Sequence, residues 1–321
     1  MALYLTEGDV GRLLSMEACV EAVETAFRQW ADGRADNRPR ARASVRGAVL
    51  HALAAGSEAW GRLAAKVYAT SREGARFMVL LFDARTAGLL AAIEADRLGQ
   101  TRTGAASGVA SRWLARKDAR SLAIIGTGWQ ARSQAKAIAT VRRLEIIRVF
   151  GRSPERLREF CRDAEAACGV RVTPCASAEE AVRGADIIVT ATSAAQPVLQ
   201  GAWLRPGAHV NAVGSNRAER RELDDAAVRS AETIVVDSLE QAWLEAGDLL
   251  AVDGGTPLGR AVELKEIIAG RHPGRSGDPA ITLFKSLGIG LEDLAAASLV
   301  YDRAVEAGAG KPLPSKGERD D

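Results

Sequence analysis

The chain has 321 residues, 47% of them apolar, and its 43 lysines and arginines against 41 aspartates and glutamates give a formal net charge of +2. This length and apolar content exclude a disordered chain and favour two domains over one. The near-zero charge argues against a nucleic acid or a membrane surface as partner, because such polyanions are bound through a large one-sided positive field.

The first third of the chain predicts one helix followed by strands. Ser15 can cap a helix whose apolar residues recur at helical spacing and which ends near Gly33. Apolar runs predict four strands, over residues 49–53, 63–68, 77–82 and 89–94. The turn-rich residues 83–88 join the last two as a hairpin, and a second helix follows over residues 102–114.

From residue 121 onward, short apolar strands alternate with helices. Strands are predicted over 121–125, 146–150, 186–190, 209–213 and 233–237, and helices over 130–141 and 154–167. This alternation is typical of a parallel sheet covered by helices on both faces. The pattern changes near Ile281, a long helix follows over residues 291–307, and the polar tail 308–321 is expected to fray.

These elements predict an α/β fold with two domains. Residues 116–284 form a Rossmann-type, doubly wound parallel sheet that binds a dinucleotide. Residues 1–115 together with 285–321 form a second, α+β domain. The strand-rich N-terminal part is too small to close its own sheet, which favours a homodimer.

The cysteines and the N-terminus bear on location. The four cysteines show neither Cys-x-x-Cys nor Cys/His ligand spacing, which predicts a reducing compartment and no metal site. Charged residues at positions 7, 9 and 12 occupy the place of a signal peptide's apolar core. No run approaches the roughly 18–20 uncharged residues of a membrane span. We therefore expect a cytoplasmic protein without a membrane partner.

A glycine-rich turn lies between the strand at 121–125 and the helix that follows it. Gly126 permits the tight turn, Gly128 lets the backbone approach a pyrophosphate, and Ala131 permits close packing of helix on sheet. The helix N-terminus then faces the anion. The expected cofactor contacts in this turn are Gly126, Thr127, Gly128, Trp129, Gln130 and Ala131. A glycine-rich turn without a ligand is the alternative.

The end of the next strand bears on which dinucleotide binds. An NAD site normally ends this strand with Asp or Glu, whose carboxylate accepts hydrogen bonds from the ribose hydroxyls. Here Gly151, Arg152 and Ser153 follow Phe150 instead. Gly151 cannot repel a 2′-phosphate, and Arg152 and Ser153 can bind one. The sequence therefore favours NADP(H), with NAD(H) as the alternative, in which case Arg152 is a solvated surface cation.

Six motifs occur in one order along the chain: residues 102–107, 126–131, 191–193, 211–214, 221–224 and 245–249. Together they resemble the ornithine cyclodeaminase/mu-crystallin family, from about Leu3 to about Gly308, and Gln130 is typical of that family. The resemblance implies that the domain formed from both termini serves substrate binding and dimerisation. It also implies further cofactor contacts, at Thr103, Thr190, Ala191, Thr192, Val213, Gly214, Ser215 and Ser286.

The resemblance also implies a binding site for the carboxylate of an α-amino or α-imino acid, made of two arginines and a lysine. Lys66 and Arg102 match two of these residues. Arg40 fits the third by its place after Pro39, and Arg42 is the alternative, since both point to one side of a strand. Arginine suits this role because its fork pairs with a carboxylate through two hydrogen bonds. Without the resemblance, Arg40 and Arg42 would be surface residues.

Two positions depart from the cyclodeaminase pattern, and with Lys66 and Arg102 they complete the catalytic candidates. Asn216 stands where cyclodeaminases carry an Asp, and it cannot take up a proton at neutral pH. His51 stands about where they carry a Glu, and it is either a proton donor or acceptor or a structural histidine. Mu-crystallin-like members also lack the Asp, prefer NADPH and reduce cyclic ketimines, so the resemblance favours reduction.

The leading hypothesis is therefore an NAD(P)H-dependent reductase or dehydrogenase of a small cyclic imino acid or amino acid, with hydride transfer at the α-carbon. Ketimines that give proline or pipecolate are the expected substrates. The first alternative is a lyase of the ornithine cyclodeaminase type, which converts L-ornithine to L-proline plus ammonia with bound NAD. The second is a non-catalytic NADP-binding protein of the crystallin kind.

Overall fold

The computed structural model of the chain describes residues 2–252 and 255–314. The chain forms two compact units: one holds the residues up to Arg102 together with those from Ile289 onward, and the other runs from Thr103 to Gly288. From the sequence, the divisions were predicted after residue 115 and before residue 285. The first division instead falls inside a continuous helix, which gives no compositional signal of a boundary.

The described residues form the following strands, in chain order: β1 (Ala2–Leu5), β2 (Ala35–Asn37), β3 (Ala41–Val45), β4 (Ala48–Ser57), β5 (Arg62–Ser71), β6 (Gly74–Asp83), β7 (Leu89–Glu94), β8 (Ser121–Ile125), β9 (Ile146–Phe150), β10 (Arg171–Pro174), β11 (Ile187–Thr190), β12 (His209–Ala212), β13 (Thr233–Val236), β14 (Val262–Glu263), β15 (Thr282–Lys285) and β16 (Lys311–Leu313). The helices are α1 (Glu7–Leu13), α2 (Met16–Ala31), α3 (Asp96–Leu114), α4 (Trp129–Val141), α5 (Pro154–Cys168), α6 (Ala178–Val182), α7 (Asp225–Ser230), α8 (Leu239–Glu245), α9 (Gly247–Leu250), α10 (Leu264–Ile268) and α11 (Gly290–Ala307).

The unit from Thr103 to Gly288 contains an eight-stranded sheet in the order β10-β9-β8-β11-β12-β15-β13-β14. Every pairing in it is parallel. Alternate residues of its central strands enter two different hydrophobic clusters: Ala123 packs in one and Ile124 in the other. Both faces are therefore covered, and the predicted doubly wound parallel sheet is confirmed. Three of its strands, β10, β14 and β15, were not predicted from the sequence.

The unit formed from both ends of the chain contains a mixed sheet in the order β16-β1-β7-β6-β5-β4-β2, with β3 also paired to β4. In β4 the alternate residues from His51 to Ser57 are buried, on strands that pack against α2 and α11. Leu50, Ala52 and Ala54 point to the opposite face and are exposed. This alternation is the expected signature of a sheet with one covered face.

Local sequence signals located several elements correctly. Ser15 caps α2 by accepting a hydrogen bond from the Ala18 amide, as predicted. The predicted hairpin is the antiparallel pair β6–β7. The prediction that the tail frays is wrong for residues 311–313, because β16 pairs with β1. Residues 315–321 of that tail lie outside the described residues.

Candidate active site and cofactor cleft

The predicted dinucleotide turn lies between β8 and α4 and has the backbone that the motif requires. Gly126 has φ +119°, and a Cβ there would lie 2.3 Å from the Ala191 carbonyl oxygen, so only glycine fits. Gly128 is the N-cap of α4 and provides no side chain to cap its first N–H groups. Ala131 is fully buried, in the core under this helix. These features fit a pyrophosphate bound at the helix N-terminus.

A cleft of about 380 Å³ opens beside this turn, at the edge of the sheet where the parallel strands end. Phe150 and Arg156 line it, together with eight of the predicted cofactor residues: Gly126, Thr127, Gly128, Gly151, Arg152, Ser153, Ala191 and Thr192. Ligands of doubly wound sheets bind in this position, at the carboxyl ends of the strands. The structure therefore brings the turn and the two candidate phosphate-binding residues, Arg152 and Ser153, to one cleft.

The remaining predicted cofactor residues do not line this cleft: Thr103, Trp129, Gln130, Ala131, Thr190, Val213, Gly214, Ser215 and Ser286. The last four directly follow β12 or β15, at the same edge of the sheet. The buried hydroxyl of Ser286 has no hydrogen-bond partner among the described residues. Because a buried hydroxyl normally has a partner, this atom fits a polar group of a bound ligand.

A buried carboxylate joins the loops that follow β11 and β12, and the sequence analysis gave it no role. Glu222 accepts hydrogen bonds from the Thr190 hydroxyl at 2.8 Å, the Thr192 amide at 2.7 Å and the Gly214 amide at 2.7 Å. Burial raises the pKa of Glu222, and nearby Lys285 opposes that shift. The signal in the sequence was the motif at 221–224, which supported the resemblance but not a role for this side chain.

In the other unit, a second buried group contains two of the predicted substrate residues. Lys66 from β5 and Arg102 from α3 meet at Asp293 in the first turn of α11. One oxygen of Asp293 accepts from the Lys66 ammonium at 3.0 Å and from the Arg102 Nε at 2.8 Å, and Glu292 accepts from the Arg102 Nη1 at 2.6 Å. All four side chains are buried. Sequence analysis missed both carboxylates, because α11 was recognised only by its helical pattern.

Burial and neighbouring charges set the protonation of this group. The pKa of Lys66 is lowered to about 8: burial is the largest cause, Arg102 and Arg40 act in the same direction, and Asp293 opposes them. Burial alone would lower the pKa of Arg102, but Asp293 and Glu292 raise it above its ordinary value. Arg102 is thus a permanent cation, whereas Lys66 titrates close to physiological pH.

The other substrate and catalytic candidates lie in different surroundings. Arg40 is buried, whereas Arg42 is exposed on β3. His51 on β4 is buried, its ring stacks on Tyr68 at 4.3 Å, and its Nε2 lies 3.2 Å from the Thr70 hydroxyl. Asn216 is half-buried in the loop after β12, in the unit that holds the cofactor cleft.

Aromatic rings lie beside the Lys66 ammonium. Tyr68 stacks on Phe77 across β5 and β6, with 4.9 Å between their ring centroids. The Lys66 nitrogen lies 5.9 Å from the Tyr68 centroid and 5.5 Å from the Phe77 centroid. These rings lower the cost of burying the ammonium and form an apolar wall next to it.

Within residues 2–252 and 255–314, no helix has the length and apolar content needed to cross a membrane. In the same part of the chain, no group of three or more His, Cys, Asp or Glu residues is placed to hold a metal ion. All four cysteines are free.

Residues 2–308 match the ornithine cyclodeaminase/mu-crystallin family. The chain belongs to this family. The match spans the region in which the six motifs occur, so the predicted resemblance is confirmed.

Members of the family with assigned activities are similar over much of their length. A Delta(1)-pyrroline-2-carboxylate reductase of Bacillus cereus is 35% identical over 97% of this chain and 99% of its own. Ketimine reductase mu-crystallin of Mus musculus is 41% identical over 70% of this chain and 68% of its own. The structure of Thermococcus litoralis Delta(1)-pyrroline-2-carboxylate reductase in complex with NADH and L-proline has a TM-score of 0.93 and 36% identity, covering 97% of this chain and 100% of that one. All three are reductases, as the resemblance to the ketimine reductase branch predicted.

Proposed function

We propose that the chain is an NAD(P)H-dependent reductase that converts a small cyclic α-imino acid into the corresponding cyclic amino acid. The observation that carries this proposal is that Lys66 and Arg102, which the family resemblance assigns to the substrate carboxylate, are buried together. The reduced nicotinamide supplies a hydride to the α-carbon, and a proton goes to the nitrogen, so that C=N becomes CH–NH. Delta(1)-pyrroline-2-carboxylate, named for two of the relatives, is the first substrate to test.

Three buried side chains provide the positive charge of the proposed carboxylate site: Arg40, Lys66 and Arg102. Arginine and lysine pair with a carboxylate through charged hydrogen bonds. Burial favours Arg40 over Arg42 as the third cation, because an exposed arginine keeps its hydration.

Asn216 supports reduction over cyclodeamination. A cyclodeaminase must remove a proton from its amine substrate before oxidising it, and a neutral amide cannot do so. An imine substrate already contains the C=N bond that the enzyme reduces. No base is therefore needed at this position to remove a proton. Release of ammonia from L-ornithine without net cofactor reduction would favour the lyase instead.

We further propose that the cofactor is NADP(H) rather than NAD(H). Arg152, Ser153 and Arg156 line the cleft where the adenosine ribose of a bound dinucleotide lies in Rossmann folds. The described lining of the cleft contains no aspartate or glutamate that would repel a 2′-phosphate. The free thiols and the use of a reduced dinucleotide favour a cytoplasmic location.

The test is oxidation of NADPH by the purified protein with Delta(1)-pyrroline-2-carboxylate and its six-membered homologue, with NADH and L-ornithine as parallel arms. We expect turnover with at least one ketimine. Arg102→Ala should lower kcat/KM by about a hundredfold or more, because it removes two charged hydrogen-bond donors, and leave NADPH affinity unchanged. Arg97→Ala, on the exposed face of the same helix, is the control and should retain activity.

Arg102→Lys is a second variant, for the case in which Arg102→Ala leaves Asp293 and Glu292 too poorly paired to fold. Lysine keeps the positive charge but cannot pair with a carboxylate through two parallel hydrogen bonds, so we expect intermediate activity. Equal loss of turnover and of NADPH binding in a folded variant would contradict the substrate role. Tight NADPH binding without turnover of any imino or amino acid would support the non-catalytic alternative.

A further inference from the structure

Thr127 and Gly151 both line the cofactor cleft and lie next to each other, and there is no room between them for a side chain on residue 151. A Cβ on Gly151 would lie 2.6 Å from the Thr127 Cγ2 and 3.0 Å from its Oγ1. The first distance is far shorter than the roughly 3.5–4.0 Å at which carbon atoms pack, and the second is a tight carbon–oxygen contact. The obstacle is formed by these two outer atoms of the threonine, because the Thr127 Cβ would lie 3.4 Å from the added Cβ.

Neither side of this contact can easily move away. Threonine is β-branched, so its short side chain has few rotamers and no flexible end that could swing aside. Its backbone follows Gly126, where the turn already approaches the Ala191 carbonyl so closely that no Cβ fits. On the other side, Gly151 directly follows β9, which pairs with β8 and β10.

Residue 151 stands at the position that distinguishes the two dinucleotides. It follows the second strand of the β8-α4-β9 unit, where NAD-binding Rossmann folds hold an Asp or Glu on the ribose hydroxyls. An acidic residue here would also repel the 2′-phosphate of NADP(H). The geometry around Thr127 therefore excludes the type of residue on which NAD preference normally depends.

We propose that Thr127 determines dinucleotide specificity by keeping residue 151 free of a side chain, which leaves the ribose end of the cleft to Arg152 and Arg156. This inference rests on the proposed binding of NADP(H) in the cleft. It predicts that Gly151→Asp alone cannot create an NADH-dependent protein, because the new side chain displaces the turn. Thr127→Ala removes both obstructing atoms and should permit the change.

The experiment is a double-mutant cycle of Thr127→Ala and Gly151→Asp, with Kd for NADPH and NADH measured by fluorescence titration. Trp129 is 44% exposed next to the turn and serves as an intrinsic reporter. Gly151→Asp should weaken the binding of both dinucleotides by about tenfold or more. The double variant should bind NADH about tenfold more tightly than Gly151→Asp does, and it should prefer NADH over NADPH.

Thermal unfolding separates the steric contact from the charge. Gly151→Ala adds only a methyl group, so it should lower Tm, and Thr127→Ala in the same chain should restore most of the loss. Gly259→Ala is the control, because its added Cβ would meet no atom within 4 Å, and Tm should not fall.

The outcomes separate the inference from the function on which it rests. If the wild-type protein binds neither dinucleotide, the proposed function fails. If it binds NADPH, but Gly151→Asp alone binds NADH as tightly as the double variant does, Thr127 is not the determinant. Loss of Tm in Gly151→Ala that Thr127→Ala does not restore would overturn the steric argument in the same way.

Discussion

Asp293 connects two buried cations, Lys66 and Arg102, that are candidates for binding the substrate. One of its oxygens accepts hydrogen bonds from both Lys66 and Arg102, and all three side chains are buried. Family motifs identified the two cations, because each lies in a recognisable local pattern. Asp293 could not be found in this way, since it is 191 positions from Arg102 and only the fold brings them together.

These hydrogen bonds predict that Asp293→Asn changes the pH dependence of kcat/KM. The pKa of Lys66 is already lowered to about 8 by burial, and Arg102 and Arg40 favour its neutral form, while Asp293 favours the cation. Removing that carboxylate lowers the pKa further, so Lys66 loses its proton at a lower pH. If the ammonium binds the substrate, the alkaline limb of the kcat/KM profile should move down by roughly one pH unit.

The matched control lies on the same helix. Asp302 also pairs with an arginine, Arg62, but its side chain is about half exposed and belongs to no buried group. Asp302→Asn should therefore leave the pH profile unchanged. If Asp293→Asn lowers kcat/KM equally at every pH, the carboxylate only supports the local structure and does not control Lys66.

At the scale of elements, the sequence predicted what local patterns encode. Five of the eight parallel strands were predicted because buried strands are short apolar runs, and the dinucleotide turn was predicted because its glycines lie at fixed offsets. The start of α3 was predicted six residues too late. Glu7 caps this helix by accepting hydrogen bonds from the Asp96 and Arg97 amides at 2.6 and 2.9 Å. A cap supplied from 89 positions away leaves no local signal.

Glu222 has the same long-range character, and it predicts how the cofactor edge responds to mutation. Glu222→Gln replaces one carboxylate oxygen with an NH2 group, so either the Thr192 amide N–H or the Gly214 amide N–H faces a donor instead of an acceptor. The loops after β11 and β12 should then separate. We expect Kd for NADPH to rise by about tenfold and Tm to fall, because buried charged hydrogen bonds contribute roughly 1.5–3 kcal/mol each.

Fluorescence titration and thermal unfolding measure both effects. Glu240→Gln, on an exposed position of α8 in the same unit, is the control and should change neither. A Glu222→Gln protein with lowered Tm but unchanged affinity for NADPH would show that the carboxylate stabilises the fold without shaping the cofactor site.

At the scale of the whole molecule, one face of the mixed sheet carries apolar side chains that are exposed among the described residues. Ala43, Leu50 and Ala69 lie side by side on β3, β4 and β5, and all three are exposed. Val45 and Leu63 extend the same apolar face. Monomeric proteins rarely expose a continuous apolar surface of this kind. We therefore propose that a second copy of the chain covers it, which would make the protein a homodimer.

Leu50→Lys tests this interface. Leu50 is 48% exposed in the single chain, so a lysine there can reach water in a monomer, whereas two buried ammonium groups would oppose association. Light scattering after size exclusion should show a dimer for the wild-type protein and a monomer for Leu50→Lys. Leu244→Lys, 58% exposed on α8, is the control and should remain dimeric. A dimeric Leu50→Lys protein would show that the interface lies elsewhere, because the apolar face could not then be the contact between the copies.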